Sequence, residues 1–157
     1  NQADALRKLQ RYEEARAAIT RAIQCKEAYV HAAEPWNTWD ILADIETEAG
    51  NPSAAADATQ TPRAPHPAYR RDGGENHSRS GRLALAIRQS LTPGSPAEAA
   101  SLLQQHAANP QAAHMLPFLT ALQAITAGSR DRSLADDPGL HYTEAAEVVL
   151  LIEALEA

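Results

Sequence analysis

WDILADIETEAGNPSAAADA, residues 39–58, carries two helical faces separated by a glycine. Trp39, Leu42, Ala43 and Ile45 fall roughly on one stripe of a first helix. Gly50 stops that helix, and Asn51-Pro52 starts a second whose early face is small: Ala54, Ala55 and Ala58. A bulky helix, a glycine stop and an alanine-faced helix make an antiparallel helix pair.

Working outward, similar pairs recur. Residues 1–33 form one around Leu9-Gln10-Arg11, with Ala3, Leu6 and Leu9 inside its first helix and Tyr12, Ala15, Ile19, Ala22 and Ile23 inside its second. The pattern weakens beyond Val30 and ends at Glu34-Pro35, because a residue before proline avoids the α region. The quoted pair spans 36–61. Pro62, Pro65 and Pro67 then break the helix near Thr61, so 61–67 reads as extended or kinked, a short turn resumes around 68–71, and Gly73-Gly74 begins a loop. With few apolar anchors, 61–81 reads as the most mobile internal part.

A third pair covers 79–108, with Leu83, Ala86 and Ile87 inward, a turn at Thr92-Pro93-Gly94, and Ala99, Leu102 and Leu103 inward again. Ser95-Pro96 and Asn109-Pro110 repeat the start chemistry of Asn51-Pro52. The fourth unit, 111–135, has Phe118, Leu119, Leu122 and Ile125 inside, with either a kink at Pro117 or a fresh start at Leu116. Gly128 ends that helix, and 130–135 make one short turn. Thr143 caps a final helix, 143–157.

The totals agree with an all-α fold. The 157 residues suit a single domain over 1–157. They are 44% apolar but only 4% aromatic, and alanine both favours helix and lets helices approach closely. Net charge is −6, which disfavours general nucleic-acid binding. It is uneven: 61–95 sums to +4, flanked by −4 and −6. The lone Cys25 excludes an internal disulfide and fits a reducing cytoplasm. The apolar run at 148–152 is far too short for a membrane span. An opening at Asn1, inside a helical pattern, reads as a fragment of a longer protein.

Gln10, Gly50, Gly94 and Gly128 occupy the inter-helix position at intervals of 40, 44 and 34 residues, and five residues later come Ala15, Ala55, Ala99 and Ser133. Here the chain resembles the tetratricopeptide repeat family. RYEEARAAITRAI at 11–23 looks like that family's second helix, and Trp39, Leu42, Ala43, Gly50 and Ala55 look like its signature in the next repeat. The resemblance covers 1–108 with decreasing quality. Thr59, Pro62 and His106 depart from it, and Ser133 is followed by almost no second helix.

The resemblance implies a right-handed superhelical array of antiparallel helix pairs with a C-terminal capping helix. It implies a non-catalytic protein-interaction or regulatory scaffold, binding a peptide or partner domain on its concave face. Carried over by position, that face comprises Asp4, Arg7 and Lys8, then Asn37, Asp40, Asp44 and Glu48, then Arg88. These mix signs, so no ligand charge follows. Such repeats sit beside signalling, protease or NTPase domains in bacterial proteins. The alternative is therefore a helical regulatory lobe of a larger enzyme, packing on an upstream domain.

Other features have two readings each. Arg70, Arg71, Arg79 and Arg82 in YRRDGGENHSRSGR either contact a phosphate or carboxylate or are solvated charges of a connection between repeats. His66, His77, Asp72 and Glu75, or His106 with His114, lack metal-ligand spacing, so no metal or cofactor is expected. Cys25 reads as a buried structural thiol rather than a nucleophile, and no serine has a nucleophile-elbow context. Trp36 and Trp39 read as core rather than an aromatic cage. No catalytic residue is assigned.

If Ala55 marks a close helix crossing, Ala55→Leu overpacks it and costs about 1–3 kcal/mol. A lowered thermal midpoint checks this.

Overall fold

A computed structural model describes residues 1–29, 33–63, 65–92 and 94–157. Among them every regular element is helical, with no strand. The chain divides into two compact units, Asn1–Asp72 and Gly73–Ala157. The first contains α1 (Gln2–Lys8), α2 (Tyr12–Glu27), α3 (Pro35–Glu48), α4 (Pro52–Gln60), a 3-10 turn (Thr61–Arg63) and α5 (Pro65–Arg71). The second contains α6 (Arg79–Leu91), α7 (Pro96–Ala107), a 3-10 helix (Pro110–Met115), α8 (Leu116–Thr126), a 3-10 turn (Arg132–Asp136) and α9 (Tyr142–Glu156).

One turn is used four times. Gln10, Gly50, Gly94 and Gly128 have φ of 58°, 79°, 83° and 106°. After each, the next N–H returns to the carbonyl five residues back: Arg11 to Leu6 at 3.0 Å, Asn51 to Glu46 at 2.8 Å, Ser95 to Ser90 at 2.9 Å and Ser129 to Ala124 at 2.9 Å. This left-handed cap satisfies carbonyls that a helix end otherwise leaves open, and it turns the chain back. Ala15, Ala55 and Ala99, five residues beyond three of these turns, are all buried, whereas Ser133 is exposed.

In the first unit Ala3, Ala15, Ile19 and Ile45 form the core, with Leu6, Tyr12, Ile41 and Leu42 against it. α1 packs on α2, α2 on α3 and α3 on α4, and α1 also meets α3. Trp36, at the start of α3, is buried against His66 of α5 (ring centroids 5.1 Å apart, edge-on) and Tyr69 (4.7 Å). In the second unit the core is larger and bulkier, including Leu83, Ile87, Leu103, Phe118, Leu122, Ile125 and Ile152. α9 packs on α6, α8 and the Arg132–Asp136 turn. Five consecutive residues, Glu144–Val148, are buried, so its first half is covered all round.

Several local expectations need correction. The helix break near Thr61 is present, since α4 ends at Gln60, but the stretch after it is helical rather than extended where it is described: Thr61–Arg63 is a 3-10 turn and α5 begins at Pro65, with Ala64 outside the described residues. Pro65 and Pro67 fit because they lie in a first helical turn, whose N–H groups have no partner within the helix. Nor is the following loop without anchors, since Asn76 Nδ2 donates to Glu147 Oε1 at 2.9 Å and its backbone lies close against Gly81. Asn51 does not cap α4 with its side chain, which instead reaches back to Glu46. The final helix starts at Tyr142, not at Thr143. His141 is its N-cap, and Glu144 Oε2 accepts the His141 N–H at 3.0 Å to complete a capping box. The chain between Val30 and Ala32, and Pro93 in the third turn, lie outside the described residues.

Gln10 is the one inter-helix position of the four without glycine. Gln10→Gly should stabilise the chain by about 0.5–1 kcal/mol by removing the Cβ penalty of the left-handed region. A higher urea midpoint with unchanged slope is the check.

Candidate functional site

The first-helix residues of the first unit come together. Arg7, at the end of α1, places Nη2 2.7 Å from Asp4 Oδ1, Nη1 2.5 Å from Glu48 Oε1 and 3.4 Å from Asp44 Oδ2. Lys8 Nζ lies 2.9 Å from Asp4 Oδ2. Hydrogen bonds from Arg7 and Lys8 hold the Asp4 carboxyl down at about 2. Asn37 Nδ2 donates to Glu34 Oε2 at 2.9 Å. Asp40 lies one turn before Asp44 on α3, whereas Arg88 belongs to α6 in the second unit. The mixed signs thus largely offset one another within the face. The arginine is tucked in, 17% exposed, whereas Asp44 at 60% and Lys8 at 69% both reach solvent, so the rim carries both signs.

Behind this face lies a cluster the sequence did not reveal. Arg16 of α2 grips Glu46 of α3 with two bonds, Nε to Oε1 at 2.5 Å and Nη2 to Oε2 at 2.9 Å. Arg16 Nη1 also meets Glu13 at 2.6 Å, and Asn51 Nδ2 donates to Glu46 Oε2 at 2.8 Å. Glu46 is buried, and the Arg16 hydrogen bonds push its pKa below the ordinary value. Such a fork-to-carboxylate pair fixes the register of one hairpin on the next. Its signal was a charged residue within each apolar stripe, but the partners stand 30 residues apart.

The loop arginines divide between units. Arg70 and Arg71 end α5 of the first, while Arg79 and Arg82 open α6 of the second. Arg82 Nη1 donates to the His77 carbonyl at 2.5 Å. His77 Nε2 lies 2.8 Å from Glu75 Oε2, both exposed. Among the described residues no three His, Cys, Asp or Glu side chains are grouped to hold a metal ion. Cys25 is exposed, contrary to the buried thiol expected, because it falls off the Ala15–Ile19 stripe of α2. Trp36, by contrast, is core. No described helix is long and apolar enough to cross a membrane.

A second concavity was not foreseen. In the second unit a cleft of about 420 Å³ is lined by the start of α6, His114, and the start of α9 including Glu144. Burial raises the Glu144 pKa above the ordinary 4.5. Its lining comes from three separate stretches, so no local motif announces it.

No family model matches this chain, and neither the curated proteins nor the solved structures searched contain a match.

The two groups of carboxylates predict opposite pH behaviour. Asp4 contributes stability that is present above its ordinary 3.8 and lost as pH falls toward about 2, and Glu46 contributes stability that is present above its ordinary 4.5 and lost as pH falls through its lowered folded value. Glu144, with a raised value, contributes stability that is present below 4.5 and lost as pH rises through its folded value. Arg16→Met leaves Glu46 buried without its counter-ion and should cost about 1–3 kcal/mol at neutral pH. It should also shrink the acid-side loss. Urea unfolding of both chains across pH 2–7, a range spanning the usual carboxylate values, checks each part.

Proposed function

We propose that the chain is a non-catalytic protein-interaction or regulatory scaffold. In this reading it is a right-handed superhelical array of tetratricopeptide-like helix pairs, receiving a peptide or partner domain along its first helices. The observation that carries it is the repeated left-handed turn at Gln10, Gly50 and Gly94, each followed five residues later by a buried alanine. The order of packing in the first unit supports it, since stacked hairpins touch their neighbours in sequence and their first helices meet.

In the second unit α9 serves as the closing helix, and it reaches back to α6 as well as α8. A strictly linear stack would keep those two apart, so the array reading rests chiefly on the first unit and on the shared turn. The α3 side of the face, with Asp40, Asp44 and Glu48, is acidic, which favours a partner bearing basic groups there and opposes nucleic acid. We place the protein in the cytoplasm, where the exposed Cys25 stays reduced.

Reversing Asp40 and Asp44 to lysine together should abolish retention of a partner that the unaltered chain retains, with the helical content unchanged. Comparative pull-downs with circular dichroism of both chains are the measurement. Identical retention by the two would overturn the assignment of this face.

A further inference from the structure

The cleft of the second unit carries two opposite charges that do not meet. Arg79 opens α6 and Glu144 stands in the first turn of α9, and both line the cleft without an ion pair between them. Each is incompletely satisfied in its own setting. α6 has no acidic residue in its first turn, so the positive end of its dipole and the Arg79 guanidinium add to one another. Ser78 Oγ answers only one of the N–H groups there, that of Gly81 at 3.1 Å.

Glu144 is 8% exposed. Its Oε2 accepts the His141 N–H, and among the described residues no hydrogen bond reaches Oε1. That second oxygen is open to the cleft rather than sealed in, so it can accept a hydrogen bond from a bound donor. A volume of about 420 Å³ falls within the range of small-molecule sites, about 300–1,000 Å³. The buried Met115 supplies an apolar wall.

We propose that this cleft binds a small zwitterion of the amino-acid class, its ammonium on Glu144 and its carboxylate toward Arg79 and the N-terminus of α6. A ligand with both charges joins two groups that the protein leaves apart. A simple anion would have to sit beside Glu144, and a simple amine beside Arg79, each against a like charge. Ser80, His114 and His141 also line the cleft. The site is built from residues of the second unit only and does not depend on the face of α1 and α3.

The test is a titration of the whole chain with glycine, followed by amide chemical shifts, with methylammonium and acetate as single-charge probes. Glycine should shift the amides of Ser78–Gly81 and Gly139–Glu144, and each single-charge probe should bind about tenfold more weakly or less. Glu144→Gln, which keeps an acceptor for the His141 N–H, should weaken glycine about tenfold. Arg79→Gln, at a partly exposed position, should do the same. The proposal is overturned by an absence of shifts with glycine at millimolar excess. It is equally overturned by acetate binding as tightly as glycine with Glu144→Gln silent, or by methylammonium doing so with Arg79→Gln silent.

Discussion

Four helix ends in this chain turn back through one residue in the left-handed region, each by the same hydrogen-bond pattern. That turn sets the architecture. It returns the backbone antiparallel, and it fixes how far along the second helix the two axes come closest. The small residue at the fifth position follows from that geometry, because a larger side chain would hold the helices apart. Where the crossing residue is Ser133, no full second helix forms and the side chain stays exposed.

The two units use different means to stabilise the same hairpins. The first has a small apolar core of alanines and isoleucines, supplemented by charge: Arg16 clamps Glu46 and Arg7 gathers three acids. The second concentrates the bulky apolar residues, with α9 covered along its first half. Apolar burial is insensitive to register, while a two-bond arginine–carboxylate contact is not. The first unit is therefore held in place more by direction than by mass of core.

That difference shapes what each unit offers a ligand. In the first unit Arg7 is tucked among Asp4, Asp44 and Glu48 while Lys8 and Asp44 reach solvent, which leaves charges of both signs along α1 and α3. The second unit gathers two helix starts and the turn before α8 around a small concavity, with a buried carboxylate on one wall and an arginine on another. Extended recognition and small-molecule recognition demand different shapes, and the two proposed sites draw on different units.

The sequence by itself determined the helical class, the sites of reversal and the residues at the crossings, because turn and propensity rules act over a few residues. Gln10, Gly50, Gly94 and Gly128 were legible for that reason, and so was the clustering of Asp4, Arg7, Asp44 and Glu48, whose positions the repeat spacing relates. Local rules also misled where two signals competed. The prolines did mark the end of α4 near Thr61, but Pro65 and Pro67 also suit the first turn of the helix that follows, and Thr143 looked like a cap although His141 and Glu144 close the box. Only the tertiary structure decided the Arg16–Glu46 clamp, the return of α9 onto α6 and the cleft at Glu144. Each joins residues far apart in the chain, and which distant side chains meet depends on how whole helices pack, an outcome no local spacing encodes.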